Sequence, residues 1–184
     1  MLNTTERTTT VSPTPPSQPR LLLAPARAGQ AVLDGGWWPR SWDPVAELPG
    51  LVLALADRYG RIWQVMLNST AWDSRFRRLA AGTEVVRMGW FATLDSALLI
   101  ATTERGDQID LLVVPPDTTA AAAKRAMSIA ADPTNVMRAP AVLAAALPQS
   151  RDAAGAGPDP SAAWDNEGGH LVDARTRRPV TASN

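Results

Sequence analysis

The sequence predicts an α+β domain in which a mainly antiparallel sheet of about six strands packs with two helices. Three observations carry this expectation. Apolar residues recur at helical spacing in two segments, four runs between these segments have the apolar and β-branched character of strands, and turn residues separate the runs. Strands that follow one another directly are typical of an antiparallel sheet.

The first two strands are expected at residues 20–27 and 30–38, which meet at Ala28-Gly29. Pro39 ends the second strand because proline has no amide hydrogen for a β-ladder. A helix is then predicted to begin at Asp43-Pro44, since Asp is a favoured N-cap residue and Pro suits the first helical position. Because Pro49 interrupts the pattern, we expect a short first turn and then a main helix from Pro49 to about residue 58.

Four further strands are expected in succession. They span residues 61–67, 84–91, 97–103 and 108–114. A short loop that contains Gly106 joins the last two, which predicts a β-hairpin. Pro115-Pro116 ends the sheet, and a second, alanine-rich helix is expected to be capped by Asp117 or Thr118 and to end before Pro133.

Both ends of the chain are expected to be disordered tails around a domain at residues 20–132. Residues 1–19 are rich in Thr, Ser and Pro, and residues 133–184 are rich in Ala, Gly and Pro. Neither segment has enough large apolar side chains to offset the entropy lost on ordering. Within the second tail, Trp164 lies among small and acidic residues, which makes residues 161–170 a candidate docking segment.

The composition excludes several kinds of chemistry. The chain has no Cys, and its one His lies in the C-terminal tail at His170, which excludes disulfides, thiolate catalysis and a Ser-His-Asp triad within the domain. Zinc and iron sites built from Cys or His are excluded too, and no nucleotide-binding or EF-hand motif is present, so we expect no cofactor and no metal site. The alternative is a hard cation held by Asp34, Asp43 and Asp73. The formal net charge of +0 argues against a nucleic-acid partner. No apolar run is long enough to span a membrane, and no signal-peptide pattern is present, so a cytoplasmic location is expected.

Tryptophan and arginine dominate the candidate binding residues. Trp37 and Trp38 are neighbours in a predicted strand and must point to opposite faces of the sheet. Either both faces are covered, by other elements or by a dimer, or one indole belongs to a binding surface. The candidate binding residues are Trp37, Trp38, Arg40, Trp42, Trp72, Arg75, Arg87 and Trp90.

Two arginine-containing stretches allow more than one interpretation. Arg75 follows Trp72, a pattern that suits single-stranded nucleic acid or phosphate but also a solvated loop. Arg87 lies in a hydrophobic run, where it either pairs with a carboxylate or meets an anionic ligand.

Catalysis by carboxylates is the alternative to binding. Asp34, Asp43 and Asp73 are the candidates for a hydrolase or lyase, together with Arg40 and Arg87. Such an enzyme would need at least two of these five side chains to converge in an enclosed pocket. Each Asp also has a structural explanation, as a turn or helix-cap residue. No catalytic residue is therefore assigned.

Four motifs occur in order along the chain: DGGWWPRSWD, AWDSRFRRL, VVRMGWF and LLVVPPDT. Together they resemble a family of uncharacterised proteins typical of actinobacteria, a domain of unknown function, over about residues 20–131. The resemblance implies a bacterial cytoplasmic domain of unknown function, and no activity, ligand or catalytic residue can be carried over from it. The sequence thus predicts a non-catalytic binding or protein-interaction domain with a Trp-rich face, whose partner is a protein or a second copy.

Overall fold

The computed structural model of the chain describes residues 8–26 and 29–147. Within them, seven strands form one sheet in the order β1-β2-β7-β6-β3-β5-β4. The strands are β1 (Leu21–Leu23), β2 (Gly35–Trp37), β3 (Ile62–Asn68), β4 (Arg78–Ala81), β5 (Glu84–Phe91), β6 (Leu98–Thr103) and β7 (Gln108–Val113). The helices are α1 (Pro44–Tyr59), α2 (Ala120–Ala130) and α3 (Ala139–Ala146). The predicted α+β class is confirmed, with one more strand and one more helix than expected.

The sheet is mixed, although antiparallel pairs predominate. Four neighbouring pairs are antiparallel, and two, β2 with β7 and β3 with β5, are parallel. The expected hairpin of β6 and β7 is present. The parallel pairs join strands that are separated along the chain by other elements, as parallel pairing requires a crossover. Local sequence patterns contain no signal for such long-range neighbours.

Helix α1 is continuous through Pro49, contrary to the expected short first turn and separate main helix. Asp43 caps it, because its carboxylate accepts a hydrogen bond from the Val45 amide at 2.9 Å. Leu51 and Leu55, which are fully buried, lie on the face that packs on the sheet. Pro49 removes only one amide donor, and it is buried in the same helix as these leucines.

Strand β4 lies in a stretch that the sequence analysis treats as a loop. Leu79 and Ala81 alternate with less buried residues and point into the core, which explains the strand. Residues 8–19, placed by the sequence in a tail, reach the outer edge of β4. There the Thr10 amide donates to the Arg78 carbonyl at 2.9 Å, and the Ala80 amide donates to the Thr10 carbonyl at 2.8 Å.

Helix α3 lies in the segment that the sequence analysis assigns to the C-terminal tail. Val142 of α3 is fully buried with residues of α2, and Arg125 of α2 donates two hydrogen bonds to the Ala146 carbonyl. Alanine is only weakly apolar, so the shortage of large apolar side chains in this segment did not predict a buried helix. The α2 cap is Thr119 rather than Asp117 or Thr118.

Other sequence-based expectations lie outside the described residues. These are the tail segments 1–7 and 148–184 and, with them, the docking segment 161–170.

Two hydrophobic cores lie on opposite faces of the sheet. The first, under α1, includes residues from β2 to β7. The second, under α2 and α3, includes Leu33, Leu112 and Val114, with Leu98 packed against it, and no residue of β3, β4 or β5. One face of the sheet is therefore buried along its width, whereas the core on the other face involves only one half.

Candidate functional site

Three of the candidate tryptophans form one cluster on the α1 side of the sheet. Trp37 of β2 is fully buried, and its ring stacks on Trp72 with centroids 5.6 Å apart and an interplanar angle of 11°. Trp42 meets the Trp72 ring edge-on at 5.2 Å. The chain brings these rings together because the Asp73 amide, next to Trp72, donates to the Trp42 carbonyl at 3.1 Å. The tryptophan cluster, as we call Trp37, Trp42 and Trp72, belongs to the first core.

Packing holds the cluster more than hydrogen bonding does. The indole nitrogens of Trp37 and Trp72 are buried and meet no hydrogen-bond acceptor in the described part of the chain. By contrast, the Trp90 indole donates to the Phe76 carbonyl at 2.7 Å, and the two rings pack edge-on at 5.8 Å. Trp90 thus anchors the segment that precedes β4 to β5.

Trp38 points to the opposite face from Trp37, as the strand geometry predicts. It packs against the second core, and the guanidinium carbon of Arg20 lies 3.5 Å from its ring centroid. Arg20 also donates to the Trp38 carbonyl at 2.8 Å and to the Pro39 carbonyl at 2.5 Å. Partial burial and the nearby Arg40 lower the pKa of Arg20, while Glu47 opposes the shift. Arg20 therefore covers Trp38 on its solvent side.

The remaining candidate residues near these rings have backbone partners. Arg40 donates to the Gln18 carbonyl at 3.0 Å, and Arg75 donates to the Ser69 carbonyl at 2.8 Å. Both side chains tie down extended segments of the chain. The hydrogen bonds of Arg40 and Arg75 do not place their guanidinium groups together at one anion-binding site.

The aspartates proposed for catalysis occupy separate structural positions. Asp43 caps α1, and Asp34 accepts a hydrogen bond from the Asp110 amide at 2.9 Å. Asp73 is exposed in the loop after Trp72. Among the described residues, no group of three His, Cys, Asp or Glu could hold a metal ion.

Arg87 lies on the other face of the sheet from the tryptophan cluster. Residues on this face can be followed from strand to strand: Leu112 of the second core is opposite Leu98, Ile100 is opposite Met66, and Met66 is beside Gly89. Because side chains alternate along a strand, the face that carries Gly89 also carries its neighbours at every second position of β5. The face under α2 thus continues across β3, β5 and β4.

We call this continuation the open face. Three large apolar side chains on it are exposed by 43% (Trp63), 45% (Val85) and 47% (Phe91). The Phe91 ring extends back over Gly89, where an added Cβ would lie 2.9 Å from the Phe91 Cε2 atom. The large apolar and the charged side chains of the open face are Trp63, Met66, Arg78, Val85, Arg87 and Phe91.

A β-bulge exposes Trp63. The pairing of β3 with β6 shifts between Ile62 and Gln64, so that Ile62 joins Val65 in the first core. Trp63, the extra residue, is left at the surface, where the guanidinium carbon of Arg87 lies 4.8 Å from its ring centroid. This distance is typical of a cation–π contact.

Arg78 and Arg87 lie directly opposite each other in the antiparallel pair β4 and β5. Leu79 and Val86 are opposite each other on the buried side, which places the two arginines together on the open face. Neither arginine makes an ion pair with another residue of the described ranges. Two like charges opposite each other in a sheet repel.

A cleft of about 670 Å³ lies under the start of α3, on the same side of the sheet. Its floor includes Leu98, and its charged lining residues are Asp95, Asp110 and Arg138. Val32, 39% exposed, forms part of its apolar wall. The cleft and the open face share β6 as their boundary.

The structure does not bring the candidates from the sequence together at one site. Trp37, Trp42 and Trp72 come together in the first core, whereas Arg87 lies on the opposite face. Trp63, Val85 and Phe91 are exposed residues that were not among the candidates from the sequence. The alternation along β5 could have placed Val85 and Phe91 beside Arg87, but the bulge that exposes Trp63 has no signal in the sequence.

None of the helices in the described ranges is long and apolar enough to cross a membrane. A family model described as a family of unknown function (DUF5994) matches residues 20–130. The match begins just before β1 and ends with α2, so it includes the whole sheet and leaves α3 outside. No curated protein and no solved structure matches the chain.

Proposed function

The chain belongs to this family of unknown function, and we propose that its domain is a non-catalytic protein-interaction module whose contact surface is the open face. The observation that carries the proposal is the exposure of Trp63, Val85 and Phe91 on one side of neighbouring strands. Several large apolar side chains exposed on one face of a sheet are typical of an interaction site, because such surface is otherwise unfavourable in water. The partner is a protein or a second copy of the chain.

The composition of the open face supports this proposal. Aromatic residues and arginine are enriched at protein interfaces and supply most of their binding energy. Trp63 and Arg87 already stack on each other, so a partner would meet a side-chain arrangement that is partly ordered before binding. The face lies on a sheet, which restrains these side chains more than a loop would.

The positions of the charged residues favour binding over a hydrolase or lyase. Asp43 caps a helix on the α1 side, whereas Arg87 lies on the open face. The cleft under α3 is lined by Asp95, Asp110 and Arg138, and none of the five Asp and Arg residues that the sequence suggested for such chemistry lines it. The proposal also includes an actinobacterial origin, which the four sequence motifs support, and a cytoplasmic location.

Affinity capture and sedimentation equilibrium test the proposal with the full chain. The wild-type protein should capture a specific protein from an extract of its own cells or should self-associate. The double variant Trp63→Ala/Phe91→Ala should lose this interaction by about tenfold or more, because buried aromatic anchors dominate interfaces. Its thermal midpoint should stay close to that of the wild type.

Val136→Ala is the matched control, since Val136 is 71% exposed and lies between α2 and α3. This variant should bind as the wild type does. The proposal would be contradicted if the double variant kept the same partner at equal yield. It would also fail if the wild-type chain neither captured a protein nor self-associated.

A further inference from the structure

The open face has a charge as well as an apolar surface, and the charge identifies the kind of partner that it fits. Its charged residues are Arg78 and Arg87, and each lacks a carboxylate partner among the described residues. By contrast, the nearby Arg61 pairs with Glu84 at 2.6 Å and with Glu104 at 3.1 Å. Two neighbouring arginines without a counter-charge are thus a property of the open face.

We propose that the open face binds an acidic, apolar polypeptide segment of another protein. This inference rests on the proposed function and names the partner of the same surface. Carboxylates of the segment would lie between Arg78 and Arg87, where they would offset the repulsion of the two guanidinium groups and form charge-assisted hydrogen bonds. Apolar side chains of the segment would cover Trp63, Met66 and Phe91.

The same charges disfavour a second copy as the occupant. Two copies packed through their open faces would bring four arginines together from two surfaces that carry no acidic residue. Like charges at an interface suppress association. Two acidic residues on this side of the sheet, Asp95 and Asp110, line the cleft under α3 instead.

The aromatic and cationic character of the face also resembles a surface for single-stranded nucleic acid, in which bases stack on aromatic rings. The chain has a formal net charge of +0, however, and it offers only two arginines on this face. A nucleic acid needs a longer basic track for its backbone. A peptide requires only a local cation pair beside an apolar surface.

The probe is a displayed library of random twelve-residue peptides, selected on the full wild-type chain. We expect the selected peptides to be enriched in Asp or Glu together with aromatic and aliphatic residues. Enrichment should disappear on the variant Arg78→Gln/Arg87→Gln, which keeps the apolar surface and removes both charges. The dissociation constant of the best peptide is then measured by fluorescence anisotropy.

Four single variants and salt sharpen this measurement. Arg78→Gln and Arg87→Gln should each raise the dissociation constant about fivefold or more, and Trp63→Ala about tenfold. Lys124→Gln, which removes one positive charge from the exposed side of α2, should leave it unchanged. Raising the salt concentration from about 0.05 to 0.3 M should weaken binding, because screening acts on exposed charges.

Three results would overturn the inference. The first is a set of selected peptides without acidic residues that binds the double-arginine variant as well as the wild type. The second is no selected peptide together with a dimer that Trp63→Ala dissociates, which would leave the proposed function in place. The third is Arg87-dependent binding of a twelve-nucleotide oligouridine without peptide binding, which would overturn the proposed function too.

Discussion

The tryptophan cluster and the open face use similar residues in opposite environments. Trp37 is fully buried and stacks on Trp72, whereas Trp63 remains 43% exposed beneath Arg87. Both rings belong to strands of one sheet, so residue type and secondary structure do not account for the difference. Helix α1 and the two loops that carry Trp42 and Trp72 cover the first environment, and no helix contributes to a core over the second. Cover by other elements therefore decides whether an aromatic residue here stabilises the fold or is available to a partner.

The largest expected effect comes from truncating one ring in each environment. Trp37→Ala should lower the free energy of unfolding by about 3–5 kcal/mol, because it leaves a large cavity in the first core. Trp63→Ala should lower it by less than about 1 kcal/mol, since most of its contacts are at the surface. Urea denaturation followed by circular dichroism measures both values. Equal losses in the two variants would mean that Trp63 is also a core residue and would remove the contrast.

A second comparison uses the two arginines that stack on tryptophan. Arg20→Gln should cost about 1.5–3 kcal/mol, because Arg20 donates hydrogen bonds to the Trp38 and Pro39 carbonyls as well as covering a ring. Arg87→Gln should cost at most about 0.5–1 kcal/mol, the usual contribution of an exposed cation–π contact, because losing the repulsion from Arg78 offsets part of it. Thermal melts of both variants and the wild type at neutral pH measure the two losses of stability. A loss for Arg87→Gln that matched the loss for Arg20→Gln would show that Arg87 has a structural role.

The smallest expected effects come from adding one methyl group to each half of the sheet face under α2. Gly36→Ala tests the covered half, and Gly89→Ala tests the open half. In Gly36→Ala, the new Cβ would lie 2.8 Å from the Met127 Cα atom of α2, and a helix backbone cannot move aside easily. This variant should lose about 1–3 kcal/mol of stability.

In Gly89→Ala, the new Cβ would lie 2.9 Å from the Phe91 ring, which is free to rotate toward solvent. Its stability should stay within about 0.5 kcal/mol of the wild type. Calorimetric midpoints of the two variants provide the comparison. A severe loss in Gly89→Ala would indicate that Phe91 is held in place and that the open face is rigid.

Much of the local structure could be predicted from the sequence. The expected strands at residues 84–91, 97–103 and 108–114 agree closely with β5, β6 and β7, because their apolar runs are bounded by turn residues. The Asp43 cap is present, since capping depends on neighbouring residues alone. The two elements that were not predicted, β4 and α3, have short or alanine-rich sequences, and their structure depends on what they pack against.

The candidate site was less predictable than the fold class. Arg87 stands out in the sequence as a charged residue in a hydrophobic strand, but it was grouped with tryptophans that lie in the opposite core. Trp63 was not among the candidates, because a bulge in the pairing of β3 with β6 sets the direction of that side chain. Bulges and strand order are properties of paired strands, and a single sequence carries no direct record of pairing.

The sequence by itself determined that Trp37 and Trp38 face opposite sides, because the pleat of a strand alternates its side chains wherever the strand lies. It also determined the kinds of elements and the chemistry that the composition excludes. Only the tertiary structure decided that both of these indoles are covered and that Trp63, Val85 and Phe91 are exposed. The physical reason is range: alternation and capping act between near neighbours, whereas the position of α2 and α3 over one half of the sheet results from packing between residues far apart in the chain.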